Sequence, residues 1–586
     1  MLDPRLYRAA FAPAILAVIV VAFSLGRPPG PATTSLAPDA FDGPRALDTL
    51  SDLTRDFPLR RPGTAGDARL ANHVRGVFRL TGLRTQVRRF PAMTVDGRRR
   101  LRTVVGVRPG LSPRRVVILA HRDSLHPRAP AQLSGTAAVI ELARVFAGRT
   151  PQKTLVLVST SGGTGGAAGA RQFAGDPGGP VDAVIAVGDL AGAHVREPQV
   201  VPWSNARGLS PLTLRRTAES ALRSDAGVRV RRPGSAEQWA RLAMPLTLGE
   251  QGEVAAEGLP AVLVQRSGER GPADGRRVSE QRLRDYGRSV LRTVTAIDQK
   301  RGSQGSPESV VLTGGKVLPL WAVRLLTGCL LLPLVLAAID SFARVRRRRQ
   351  PVGTWLVWTL SSAAPFALAS GMAIAVATLG LLPAAPSGPV APGAVAFGGA
   401  GAASLAATIL AGILGWLVLR PMLLRWVGVR GERGSAGPGA GTALVLAALG
   451  VGVWIANPFA CALLLPALHA WLFVIAPEVR MRRPVVVVLV AVGLLPLALV
   501  ALYYTRQFGL GPLEFVWSAF LLVAGGEIGA LGVLGWSLLL GSLACVLRIG
   551  FAQRIRPPDP SDVTIRGPLG YAGPGSLGGT ESAMRR

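Results

Sequence analysis

Apolar residues are spread unevenly along this chain of 586 residues. A short apolar block covers residues 9–26, and a second dominates from about residue 319 to about residue 550. Between them, apolar and polar positions alternate as in a globular domain. The second block divides into seven runs, near 319–341, 354–376, 395–419, 441–457, 459–477, 484–504 and 527–548. Each approaches the roughly 20 residues that carry a helix across a ~30 Å hydrocarbon core. Residues 513–524 form a further apolar stretch, short enough to lie in the interface or re-enter. The pattern predicts an all-α polytopic transmembrane bundle of about seven helices over 319–548, preceded by a transmembrane anchor at 9–26. A cleaved signal peptide is the rival reading of 9–26, but Arg27-Pro-Pro-Gly follows it directly and offers no small-residue cleavage site.

The stretch from about 45 to 300 alternates strand and helix signals. Residues 115–120 form a short continuous apolar run, as expected of a central strand buried on both faces, and 154–160, 183–190 and 261–265 read as further strands. Helical patterns fall at 134–147, around Phe173, at 209–224 and at 279–298. Strands alternating with helices predict an α/β domain with a mostly parallel sheet and helices on both faces. Active sites in such sheets lie beyond the carboxyl ends of the strands.

Charge then orients the chain. Arg344 and Arg346 to Arg349 follow the first long run; Arg420, Arg425, Arg430 and Arg433 follow the third; Arg480, Arg482 and Arg483 follow the fifth; Arg548, Arg554 and Arg556 follow the last. The alternate loops are nearly free of positive charge. Arginine resists translocation, so these clusters belong in the cytoplasm. The expected layout is a cytoplasmic N-terminus at 1–8, the anchor, an extracytoplasmic domain at 27–318, the bundle, and a disordered cytoplasmic tail at 549–586. A net charge of +32 invites a nucleic-acid reading. That reading is set aside: the basic residues are all arginine except Lys153, Lys300 and Lys316, much of the charge has a topological explanation, and no nucleic-acid partner is expected. The cysteines, Cys329, Cys461 and Cys545, all lie in apolar runs, so the outer domain has no disulfide.

The strand ends carry an ordered series of motifs. Arg61-Pro-Gly-Thr-Ala-Gly opens the domain, and Val116-Val-Ile-Leu-Ala-His121-Arg-Asp123-Ser ends one strand. Leu133-Ser-Gly-Thr-Ala-Ala begins a helix. Thr154-Leu-Val-Leu-Val-Ser-Thr precedes Gly166-Ala-Ala-Gly-Ala-Arg-Gln-Phe, and Gly258-Leu-Pro-Ala-Val-Leu-Val comes late. In order and spacing this series resembles the di-zinc aminopeptidases of metallopeptidase family 28, which implies a zinc-exopeptidase-like fold. The anchor, outer domain and multi-span bundle together are similar to the endoplasmic-reticulum metallopeptidases. They are also similar to the non-catalytic, peptidase-like subunit of the glycosylphosphatidylinositol transamidase.

The resemblance implies two zinc ions held by carboxylates and imidazoles, with a carboxylate base that activates metal-bound water. His121 and Asp123 match the family's His-x-Asp, and Asp189 matches its later Asp ligand. Asp123 would have a catalytic role only if the site is active. The bridging-Asp position falls on Ala131, the Glu-Glu pair on Gly163-Thr164, and no histidine follows His194 in the domain. Alanine and glycine donate nothing to a metal. The expectation is a pseudoenzyme: a peptidase-like outer domain that has lost zinc catalysis, with His121 and Asp189 as vestigial ligands and no cofactor. In this reading His121 is a polar strand-end residue bonded to Asp189 or Asp123. If one metal is retained it is zinc, with His126 or Glu250 recruited. Ser161 stands beside glycines, but its surroundings are not the Gly-x-Ser-x-Gly of a nucleophile elbow, and it reads as a loop serine.

Within the bundle, Asp340, Arg324 and Glu527 lie near span ends, while His469 sits in mid-span and is the membrane candidate. Three functions compete. The favoured one is a binding or scaffold module whose outer cleft takes a peptide, glycan or protein ligand. The second is a membrane-bound zinc exopeptidase with a substituted metal site. The third is a transporter or lipid-handling bundle with an outer regulatory domain.

Overall fold

The computed structural model describes residues 4–231, 233–272, 277–302, 311–349, 351–382, 385–426, 437–476 and 481–552. The outer domain is built on a seven-stranded sheet: β1 (Arg84–Thr94), β2 (Gly97–Arg108), β3 (Ser112–His121), β4 (Lys153–Thr160), β5 (Val181–Val187), β6 (Val200–Val201) and β7 (Ala261–Val264). Their order is β1-β2-β4-β3-β5-β7-β6. The four central strands β4, β3, β5 and β7 run parallel, and the flanking strands pair antiparallel.

The continuous apolar runs have the expected cause. In β3, Val116, Ile118 and Ala120 enter a core shared with the helices Gly43–Asp56, Ala65–Leu80, Pro130–Val145 and Glu280–Gln299. Val117 and Leu119 enter a second core on the opposite face, with Ala168–Gly175, Ser235–Ala243 and Glu250–Ala256. Both faces are covered, so alternation is unnecessary. The hairpin β1–β2 and four of these helices (43–56, 65–80, 235–243 and 250–256) carry no strong apolar run, and the sequence pattern did not single them out.

The second core does not stop at the domain boundary. It includes Val323 and Phe459, from two of the apolar helices. The outer domain therefore rests on the bundle through shared apolar packing.

Seven helices among the described residues are long and apolar enough to cross a membrane: Leu320–Arg347, Val352–Thr378, Gly399–Trp426, Gly437–Ala456, Pro458–Ile475, Arg483–Phe508 and Ala530–Ala552. They coincide with the seven expected runs. The N-terminal apolar helix differs from its expected bounds. It breaks after Ala9, resumes as Ala12–Phe23, and is shorter than the seven. Gly26 then pairs with Val317 in a short antiparallel bridge, the amide of Val317 donating to the Gly26 carbonyl at 2.9 Å. The chain thus enters and leaves the outer domain side by side.

Arg420 is a second correction. It is not a loop residue but a buried one, inside the Gly399–Trp426 helix just past a π-turn at Gly415–Leu419. Its Nε donates to the Ser362 hydroxyl at 3.0 Å. Asp340 pairs with Arg344 one turn on, at 2.9 Å. Arg430, Arg433, Arg480, Arg554, Arg556 and the tail beyond residue 552 lie outside the described residues. The extra stretch 513–524 is the helix Pro512–Ala524, packed beside Ala364–Thr378.

Candidate functional site

The carboxyl ends of β3 and β4 lie side by side, His121 opposite Thr160 in register. The Thr136 hydroxyl donates to the His121 carbonyl at 2.8 Å and ties the strand end to the Pro130–Val145 helix. His121 Nδ1 faces Glu250 Oε2 at 3.4 Å. Glu250 is the first residue of the Glu250–Ala256 helix, and its Oε1 accepts from the Thr160 hydroxyl. Burial opposes a charge on His121, but the Glu250 carboxylate outweighs it with help from Asp123, and the imidazole pKa lies above its ordinary value. His121 is therefore bonded to Glu250, not to Asp189 or Asp123 as the sequence suggested.

Asp123 is fully buried and accepts from the amides of Gly163 at 3.0 Å and Thr164 at 3.1 Å, and from the Thr164 hydroxyl. Gly163 and Thr164, expected from the sequence to stand at the Glu-Glu position, thus close a turn over this carboxylate. Nearby lies a buried charged network. The Arg122 guanidinium pairs with Asp67 at 2.8 Å and donates to the carbonyls of Ser159 and Thr160. Ser161 donates to Asp67 Oδ2 at 2.7 Å, so its hydroxyl is engaged as a structural donor. Arg60 donates to the Arg122 and Ala129 carbonyls, and burial pushes its pKa down to about 10 despite the nearby Asp123 charge.

Asp189 follows β5. Its Oδ1 accepts from the amides of Gly192 at 2.7 Å and Ala191 at 3.1 Å. Its Oδ2 is buried and makes no hydrogen bond, with the Ser267 hydroxyl alongside but outside bonding geometry. Burial raises the Asp189 pKa, partly offset by these neighbours.

His121, Asp189 and Glu250 line one cleft of about 490 Å³, together with Arg61, Gln132 and Gln265. The exposed His126 stands at its rim. The far wall comes from the bundle: Pro389 and Ala391 to Ala394, in the loop after Val352–Thr378. That loop is held against the domain by Arg171, which pairs with Glu253 and donates to the Ser387 hydroxyl and carbonyl, each at 2.8 Å.

A two-zinc centre does not fit these residues. Ala131 is fully buried and brings no donor atom, and Gly163 has no side chain. Among the described residues no group of three or more His, Cys, Asp and Glu side chains is arranged to hold a metal ion.

His469 lies apart from the cleft. Its Nε2 bonds the Leu330 carbonyl at 3.0 Å, which makes Nε2 the donor, and its Nδ1 accepts from the Tyr7 hydroxyl at 2.7 Å. It clasps the N-terminal helix to the bundle. A feature the sequence did not reveal is Arg241, buried among Trp203, Tyr503, Tyr504 and Phe508 with its guanidinium 5.1–5.6 Å from the four rings and paired with Glu269. Its partners come from distant segments, so no local pattern marks it.

The fold is a mostly parallel α/β domain that resembles the zinc exopeptidases, joined to a helical region with seven long apolar helices. Residues 103–229 match Peptidase family M28. Similar solved structures include a Bacteroides thetaiotaomicron glutaminyl cyclase bound to N-acetylhistamine, at 15% identity and a TM-score of 0.37, covering 44% of this chain and 98% of that one. A leucine aminopeptidase precursor from the same organism has 14% identity and a TM-score of 0.37, covering 44% and 97%. The zinc aminopeptidase of Bacillus subtilis has 12% identity and a TM-score of 0.36, covering 46% and 98%. No curated protein matches the chain.

Proposed function

We propose that this protein is a membrane-embedded binding module whose M28-like domain no longer hydrolyses amides. The observation that carries this reading is the fate of the family's Glu-Glu position. Gly163 and Thr164 bring no carboxylate, and instead their amides saturate Asp123. A hydrolytic base must reach the water it activates. Glu250, the carboxylate nearest His121, is already engaged by His121 and Thr160. The cleft itself remains open, with polar as well as apolar walls. Its use is then to hold a ligand between the domain and the bundle.

The arginine pattern supports an orientation with both termini cytoplasmic, residues 27–318 outside, and the N-terminal helix acting as an anchor. Single cysteines placed at Arg301 and at Arg349 would be labelled by a membrane-impermeant maleimide from opposite sides of the membrane. Labelling of both from one side would reject this topology.

The full-length protein, purified in detergent, tests the catalytic claim through its zinc content and its turnover of aminoacyl-anilide substrates. The expected result is no stoichiometric zinc and no turnover. Two zinc ions per chain with activity lost in His121→Ala would establish a peptidase. One zinc per chain, lost in Glu250→Gln, would replace the binding-module reading with a single-metal site.

A further inference from the structure

A second cavity adjoins the cleft and lacks its polar groups. It is an almost wholly apolar chamber of about 80 Å³, lined by Leu246 from the outer domain, Tyr504 and Phe508 from the end of the Arg483–Phe508 helix, and Phe515, Ala519 and Leu522 from Pro512–Ala524. Leu248, Pro389 and Pro392 line both cavities. The cleft, with its polar groups, and the apolar chamber therefore share part of their walls.

The chamber lies where the outer domain meets the ends of apolar helices. Leu513 and Val516, beside it on Pro512–Ala524, are exposed, as are Leu499 and Leu502 on the neighbouring helix. Exposed apolar side chains at the end of a candidate membrane span, and on the shorter apolar helix beside it, are suited to face lipid. In the orientation proposed above, the chamber stands at the level of the outer leaflet.

The polar side also has a vacancy of a definite kind. Arg61 is committed to Asp96, Glu269 to Arg241, and Arg270 to the Arg506 and Gln507 carbonyls. Among the buried groups here, Asp189 Oδ2 and Gln132 Oε1 are acceptors without a hydrogen bond, and the Ser267 hydroxyl beside Asp189 has none either. An acceptor buried without a donor is costly, so a ligand that brings donors is favoured there.

We infer that the two cavities form one site for an amphiphile of the outer leaflet: its head, bearing ammonium or hydroxyl donors, lies against Asp189, and the first part of its acyl chain lies in the chamber beside Ala519. This rests on the binding-module reading and deepens it. The remaining chain runs on into the bilayer. The site takes its ligand laterally from the membrane, because the chamber faces lipid and the loop Pro389–Ala394 walls the cleft.

The test is native mass spectrometry of the full-length protein. It is titrated with lysophosphatidylethanolamine (ammonium head), dodecyl glucoside (hydroxyl head) and lysophosphatidylcholine (same glycerol, but no donor on its choline), and with phosphoethanolamine and glucose as heads without chains. At least one donor-headed amphiphile is expected to bind tenfold or more tightly than lysophosphatidylcholine and than its own free head. Which one does so identifies the head chemistry. Asp189→Asn should remove most of the head preference and leave the chain's contribution. Ala519→Trp, which fills the chamber, should remove the chain's contribution and leave weak head binding. A free head that binds as tightly as its amphiphile would overturn this inference while leaving the binding-module reading intact. Amphiphile binding indifferent to head chemistry and to both substitutions would overturn it too, as would no binding at all. The binding-module reading fails separately, on zinc content and turnover.

Discussion

Gly163 lies against His121 so closely that a Cβ at position 163 would fall 2.3 Å from the His121 Cβ and 2.5 Å from its Cγ. Any side chain at position 163 would meet the His121 side chain at once.

Gly163→Glu should therefore fail to rebuild a metal site. The new side chain must displace His121 or the turn that caps Asp123. Overpacking of this sort costs about 1–3 kcal/mol. Thermal unfolding followed by tryptophan fluorescence should show a lowered Tm, and elemental analysis should show no gain of zinc. A variant as stable as the parent with bound zinc would mean that the turn is plastic and that activity was lost by one substitution.

The His121–Glu250 pair predicts a pH signature. The folded-state pKa of His121 is raised above its ordinary 6.5. Its contribution to stability is complete below the unfolded value and fades as pH rises through the raised folded value. Glu250→Gln should therefore destabilise by about 1–2 kcal/mol at pH 5.5–6, with the difference from the parent shrinking above that range. A difference that is constant with pH would show that the pair is not ionic.

Arg241 should be an energetic hinge between domain and bundle. Its Nε donates to the Tyr503 hydroxyl at 2.8 Å, and its charge partner Glu269 is fully buried. Arg241→Gln leaves that carboxylate buried without its cation, a loss of about 3–5 kcal/mol. The double variant Arg241→Met with Glu269→Gln should recover much of it, because no buried charge is then left alone. The two Tm values decide between them, and equal losses in both would assign the effect to packing alone.

Tyr7→Phe removes the hydroxyl that His469 Nδ1 accepts. The expected cost is about 1 kcal/mol, with the N-terminal helix loosened from the Pro458–Ile475 helix. Disulfide trapping between cysteines at Phe11 and Phe473, ring neighbours of Tyr7 and His469, should slow relative to the parent. An unchanged rate would mean that apolar contact alone holds the helix.

Much of the architecture is legible in the order of the residues, for a physical reason. A strand covered on both faces must be apolar at every position, and β3, β4, β5 and β7 each fall on the runs at 115–120, 154–160, 183–190 and 261–265. Membrane helices must be apolar over their length, and all seven stand out likewise. The arginine-rich hairpin β1–β2 has a pattern that reads as solvent-facing, so it gives no strand signal. Arg420 reads as a loop charge because sequence reports composition, whereas the Ser362 hydroxyl that accepts its Nε proton lies in another span.

At the site the division is sharper. Residue identity alone determines which donors exist: His121 and Asp189 are present, and Ala131, Gly163 and Thr164 bring no carboxylate. It admits Glu250 and His126 as possible recruits but cannot choose between them. Tertiary structure sets the two apart: the Glu250–Ala256 helix docks at the end of β4 and brings Glu250 against His121, while His126 stays at the rim. It also built the second wall of the cleft from a loop of the bundle. Local periodicity records how much water each residue sees. Which distant residues meet is set by how helices and sheet pack once the chain has closed on itself.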